Sequence, residues 1–236
     1  MEIKRDELAD RMIKEPHILI AGCTGSGKST MLNNLIYAIT LNDPNKVEYG
    51  IVDLKRVSLT EWKTVPHCKR YAVDPYEALE LFDDVIDLMN RRFEWMEKQG
   101  LKEYTGTYLY IIVDECAELL DTVKESYECL KEIARLGRAA RIKLVLCTQS
   151  PNRKTIPADL TLNITGRLAL RCQTAIESKQ ILNFKGAENL PRYGEGLWIS
   201  PETMTPEKVT IPMRTEEEIE TLVRTWKRQQ DNVCIM

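Results

Sequence analysis

The residues Gly22-Cys23-Thr24-Gly25-Ser26-Gly27-Lys28-Ser29 carry the spacing G-x-x-x-x-G-K-[ST], and Thr30 leads on into a helical pattern. Glycines at these places let backbone N–H groups curl around phosphates at a helix N-terminus. Lys28 would reach the β and γ phosphates of a nucleotide, and the Ser29 hydroxyl would complete a magnesium shell. Gly22 to Thr30 is therefore the candidate nucleotide-binding loop. A chance glycine turn is the competing reading, and the strand-loop-helix context speaks against it. The second half of such a site is an apolar strand ending in an acid, and Leu109-Tyr110-Ile111-Ile112-Val113-Asp114-Glu115 ends in two. Asp114 would hold magnesium, directly or through water, while Glu115 would orient or deprotonate an attacking water. Without the glycine loop the pair would read as solvated acids at a strand tip; with it, the catalytic reading is favoured.

Lys143-Leu144-Val145-Leu146-Cys147-Thr148-Gln149 is another strand ending in a polar pair. Gln149 stands where it could sense a γ-phosphate, although a Thr-Gln strand end is also common without that role. Arg135, Arg138 and Arg141 crowd the end of the preceding helix with Lys143, and cations there complement a helix C-terminus in any case. Alternatively one of them is an arginine finger, worth about 10³ to 10⁵ in rate. It would serve another subunit's nucleotide, because its own site is expected at the opposite flank of the sheet. Lys55, Arg56, Arg153 and Lys154 follow strand ends in loops and are candidate substrate contacts, suited to the phosphates of a polyanion, with ordinary solvated surface as the alternative.

The elements that must position these residues follow from apolar spacing. His17 to Ala21 reads as a strand, Lys28 to Thr40 as a helix, Val47 to Asp53 and Tyr71 to Val73 as strands, and Pro75 to about Gln99 as a long helix. Tyr108 to Val113 is a continuous apolar strand, Val123 to about Ala140 one helix, and Lys143 to Cys147 a strand. A strand over Ile164 to Leu170, a helix over Ala175 to Leu182, short strands around Leu197 and Val209, and a polar helix from Glu216 to Gln229 complete the order. Strands rich in Ile, Val and Leu without polar alternation predict an α/β fold whose mainly parallel sheet is covered by helices on both faces.

With 236 residues, 43% hydrophobic and 29% charged, the chain is long enough for one large core. Its 33 Lys and Arg against 36 Asp and Glu leave a net charge of −3, which excludes a bulk positive field for polyanions. No apolar run approaches the roughly 18 residues of a bilayer span. Met1 is followed by charged residues rather than by a secretory leader. Seven cysteines without a C-x-x-C pair suit free thiols in a reducing compartment, so the expected localisation is cytoplasmic.

The order and spacing of several segments resemble one family. They are Pro16 to Gly22 and the loop after it, Asp53-Leu54-Lys55-Arg56, Arg91-Arg92, Val113-Asp114-Glu115, Arg138-Ala139-Ala140 and Cys147-Thr148-Gln149. The similarity continues through Ile156-Pro157, Gly166 to Arg171, Glu177 to Leu182 and Gly186-Ala187-Glu188, and together these look like the motor domain of the FtsK/SpoIIIE DNA translocases. The resemblance implies a single RecA-like P-loop NTPase domain over residues 1–236, with its core at about 16–213 and a C-terminal helix at about 215–230. It further implies ATP and Mg²⁺ as ligands, and a homo-oligomeric ring of six that pulls double-stranded DNA. Conjugative coupling proteins and type VII secretion ATPases are similar in the same motifs, so transfer or secretion machinery is the implied partner. Protein secretion is the alternative function.

The family's arginine finger is carried to Arg138, with Arg135 and Arg141 as fallbacks. Cys23 stands where the family often has threonine, Leu54 where it usually has proline, and Lys179 where arginine is common. The expected membrane contact runs through regions absent from this chain. The absence of a C-terminal DNA-reading domain argues against a sequence-directed chromosome pump.

Overall fold

The computed structural model of the chain describes residues 7–42, 45–151 and 156–233; Arg153 and Lys154 lie outside the described residues. The elements in chain order begin α1 (Glu7–Lys14), β1 (Ile18–Ala21), α2 (Lys28–Asn42), β2 (Val47–Val52), β3 (Cys68–Ala72), α3 (Pro75–Gln99) and β4 (Tyr108–Val113). They continue α4 (Cys116–Thr122), α5 (Glu125–Leu136), β5 (Ile142–Thr148), α6 (Ala158–Leu162), β6 (Gly166–Ala169) and α7 (Ala175–Leu182), and end with β7 (Glu195–Ile199), β8 (Glu207–Thr210) and α8 (Glu216–Val233).

One eight-stranded sheet runs in the order β3-β2-β4-β5-β1-β6-β7-β8. The strands from β3 to β6 are mutually parallel, and β7 and β8 extend that edge antiparallel. Successive strand residues point to opposite faces, and each face has its own core. Leu19, Ile111, Val113, Leu144 and Leu146 pack with α3 and α5 on one side. Ile18, Ile20, Tyr110, Ile112 and Val145 pack with α1 and α2 on the other. Burial on both faces is why these strands are apolar throughout rather than alternating.

Pro75 sits in the first turn of α3, and its N-cap Asp74 accepts from the Tyr76 and Glu77 amides at 2.9 and 3.0 Å. Three expectations need correction. The helix expected over Val123 to about Ala140 is shorter, α5 running from Glu125 to Leu136, and an unanticipated helix, α4, precedes it and closes at the extended backbone of Val123. Beyond α5 the chain leaves the helix through a turn in which Ile142 N–H donates to Gly137 O at 2.8 Å and Arg141 takes a φ of 55°. The amphipathic helix α1, not anticipated, buries Leu8, Ala9, Met12 and Ile13.

The third correction concerns the arginines. Strand β5 is the direct neighbour of β1, so these residues are not at the far flank of the sheet. They are instead at the amino-terminal end of β5, a seven-residue strand about 20 Å long, whereas the glycine loop is at the carboxyl end. Among the described residues no helix is long and apolar enough to cross a membrane.

Candidate active site

The glycine loop leaves β1 between β5 and β6, the point at which strand order reverses and a crevice opens beyond the carboxyl ends. Its start is pinned on both sides, with Gly22 N–H donating to Thr148 O at 3.2 Å and Cys23 N–H to Arg171 O at 2.8 Å. A Cβ on Gly22 would lie 2.6 Å from Ser26 Oγ and 2.7 Å from Leu170 Cβ, so only glycine fits there. Gly25 and Gly27 take φ values of 74° and 94°, a left-handed backbone that glycine adopts without strain, before α2 begins at Lys28. Cys23, Gly25, Ser26, Gly27, Lys28, Ser29 and Thr30 line a cleft of about 460 Å³. Thr24 is exposed on the same loop.

Lys28 is 4% exposed and Asp114 1%. The ammonium donates to Asp114 Oδ1 and to the Asp114 carbonyl oxygen, both at 2.7 Å. Burial works against that charge, and Cys147, Asp114 and Glu115 more than offset it, so the Lys28 pKa is raised. Asp114 Oδ2 is buried with no hydrogen-bond partner. That orphaned carboxylate oxygen, with the exposed Ser29 hydroxyl in the first turn of α2, is a donor set that fits a hard divalent cation.

Glu115, one residue on, is held at the ends of two neighbouring strands. Thr148 Oγ1 donates to its Oε1 at 2.7 Å, Gln149 N–H donates to both carboxylate oxygens at 3.1 Å, and Lys55 Nζ lies 3.6 Å from Oε2. Gln149 does reach the loop, since Thr24 Oγ1 donates to its Oε1 at 2.7 Å, and Gln149 lines the cleft. Lys28, Asp114, Glu115 and Gln149 thus converge although they come from three separate strands and loops.

The arginines do not join them. Arg141 is tied within its own subunit, donating to Thr105 O at 3.1 Å and Gly106 O at 3.0 Å with its guanidinium over the Tyr108 ring. Arg92 is buried and donates to Ala140 O at 2.7 Å, which fixes the turn from which the exposed Arg138 projects. Arg135 is also exposed. Arg56 is exposed beside Lys55, with a φ of 59°.

Three features escaped the sequence reading. Thr148 is the donor that fixes Glu115, and its position directly before Gln149 at a strand end was the available signal. Arg192 places its Nη2 3.1 Å from where a Cβ on Gly25 would be, yet it stands in a Pro-Arg-Tyr-Gly run that carries no recognisable mark. Tyr193 and Gly194, with Ile211, Pro212 and Met213, complete the lining of the cleft.

A sequence model of the FtsK/SpoIIIE family matches residues 2–108. The chain is 31% identical over 239 residues to the DNA translocase FtsK of Sporosarcina ureae, covering 92% of this chain and 31% of that protein. To the DNA translocase FtsK of Tropheryma whipplei it is 33% identical, covering 91% and 32%. It therefore spans about a third of the length of the curated relatives it matches. Among solved structures, the cytoplasmic domain of the Thermomonospora curvata type VII secretion ATPase EccC superposes with a TM-score of 0.77 at 26% identity, over 89% of this chain and 28% of that one. The pCW3 conjugation coupling protein TcpA superposes at 0.78 and 23% identity, over 90% and 65%.

Proposed function

We propose that this chain, which belongs to the FtsK/SpoIIIE family and carries a P-loop ATPase core, hydrolyses ATP at sites shared between copies in a six-membered ring and thereby translocates double-stranded DNA. The observation that carries the reading is the convergence of Lys28, Asp114, Glu115 and Gln149 on one cleft at the sheet's carboxyl edge. The amides of Gly22 to Thr30 bind the phosphates, with Lys28 moving from Asp114 to the β and γ oxygens. Ser29 and Asp114 would hold a magnesium ion, which would supply neutralisation of the charge that builds on those phosphates. Glu115 accepts the proton of the attacking water, and Gln149 links the γ position to Thr24. Arg138 completes the neighbouring copy's site, because the length of β5 separates it from its own.

DNA is favoured as the cargo by the translocases to which the chain is about 31% identical. Coupling of a conjugative transfer machine is the narrower form suggested by the likeness to TcpA. The likeness to EccC and the net charge of −3 favour protein secretion as a second reading. The test is the steady-state ATPase rate against protein concentration, with and without linear duplex DNA. A rate rising steeply with concentration and again with DNA is expected. A rate that depends on concentration and ignores DNA would favour secretion, and a rate per subunit independent of concentration would remove the shared site.

A further inference from the structure

The contacts of Glu115 leave one lone pair of its carboxylate, on Oε2, outside any hydrogen bond, and that oxygen faces a cation. Oε1 accepts from Thr148 and Gln149, and Oε2 accepts from Gln149 and faces Lys55 at 3.6 Å. A general base must present a lone pair to water, and an ammonium facing Oε2 competes with water for it, so withdrawal of a partner frees Glu115 to work. Thr148 is fully buried and the Gln149 amide is part of the backbone where β5 ends, so neither can withdraw without disturbing the sheet. Lys55 differs. Its side chain is 35% exposed, it makes the longest of the four contacts, and its stem is flexible.

The loop that carries Lys55 is rigid at its base and open at its tip. β2 pairs with β4 with Val52 opposite Val113, so Lys55 and Glu115 leave adjacent strands side by side. Buried Asp53 accepts from the Ser58 and Leu59 amides at 3.1 and 3.0 Å and from the Tyr71 hydroxyl at 2.8 Å. Asn33 on α2 donates to Ser58 O and accepts from Trp62 Nε1, fastening the same loop to the helix behind the glycine loop. Between these anchors, Lys55, Arg56 and Val57 stand exposed, with Arg56 in the left-handed region. Two adjacent cations at an exposed tip, one of them already spending its charge on the catalytic carboxylate, form a competition element for a polyanion.

We propose that Lys55 is a positioning residue that latches Glu115 in the resting subunit, and that a backbone phosphate of the translocated duplex, drawn by Arg56 and Lys55, takes the ammonium and frees Oε2 to accept a water proton. This rests on the DNA reading above and gives it a route from cargo to chemistry. The same lysine cannot serve both carboxylate and phosphate, so cargo contact and an active base become one event.

The test compares wild type, Lys55→Met and Lys55→Arg in steady-state ATPase assays with and without linear duplex DNA, with thermal melts confirming folding. Lys55→Met should raise the DNA-free kcat by about 2- to 5-fold, the scale of a partly exposed ion pair. Its ratio of DNA-stimulated to DNA-free rate should fall toward one. Lys55→Arg should keep a low DNA-free rate and a stimulation ratio near that of wild type. A Lys55→Met rate that is equal or lower without DNA, with stimulation intact, overturns the latch. If DNA does not stimulate wild type, the DNA reading fails, while a raised DNA-free rate in Lys55→Met still upholds the hold on Glu115 itself.

Discussion

In the proposed reaction, the Glu115 carboxylate is where binding and turnover separate. Lys28 and the loop amides can hold a triphosphate without it, since the Lys28 ammonium is paired to Asp114 and touches Glu115 through no hydrogen bond. The glutamate is 8% exposed, oriented by Thr148 and Gln149, and adjacent in sequence to Asp114 with its orphaned Oδ2. Glu115→Gln keeps the side chain's shape but cannot take a proton from water. It should therefore bind ATP with affinity close to wild type while turnover falls by about 10² to 10⁴. Equilibrium nucleotide binding beside single-turnover hydrolysis separates the two quantities, and normal turnover would remove Glu115 from its role.

At the level of elements, the cleft is bounded by a strap that follows β8. Asn34, fully buried in α2, donates to Pro212 O at 2.6 Å, and the Arg214 guanidinium lies over the Tyr37 ring, so the helix behind the glycine loop also fastens the segment whose residues Ile211 to Met213 line the cleft. Asn34→Ala removes a hydrogen bond worth about 0.5 to 1.5 kcal/mol. The expected result is a KM for ATP raised roughly 2- to 10-fold with kcat little changed; a fall in kcat at constant KM would place the strap in the chemistry instead. That strap was illegible in the sequence, because Ile211-Pro212-Met213 has no periodicity and acquires meaning only through α2. By contrast β4 and α7 read at their observed bounds, since an uninterrupted apolar run and a Thr174 capping box with Glu177 are local signals. The short helix α4 was not anticipated, because its seven residues follow directly on the end of β4 and leave apolar spacing only about two turns in which to show. The loop, Asp114 and Glu115 were legible from type and spacing alone. The Lys55 contact was not, because it depends on β2 lying beside β4 across some 60 residues of sequence.

Across the whole molecule, the two ends of the parallel strands have different duties. At the amino-terminal end His17 is 1% exposed, and its Nδ1 accepts from the Leu144 amide at 3.0 Å. Burial, reinforced by the Lys143 ammonium, lowers its pKa from 6.5 to about 4. An unfolded chain takes up that proton below about pH 6.5 and the folded one only near pH 4, so the associated stability is complete above 6.5 and lost as pH falls to 4. The difference amounts to about 3 kcal/mol. Urea unfolding at pH 7 and pH 4 should show that loss, and His17→Gln should flatten it; an unchanged slope in the variant would assign acid sensitivity elsewhere. Arg138 is exposed at this same end, the length of β5 away from the cleft of its own copy. If it reaches a neighbour's nucleotide, activity is a property of pairs rather than of subunits. Lys28→Ala and Arg138→Ala should then each be nearly inactive alone, with Arg138→Ala still binding ATP. Mixed in equal amounts and allowed to reassemble, they should recover activity. About one interface in four would join an intact Lys28 to an intact Arg138, so recovery should approach about a quarter of the wild-type rate. A cis role for Arg138 predicts no recovery at any mixing ratio, because every subunit would then lack one of the two groups it needs.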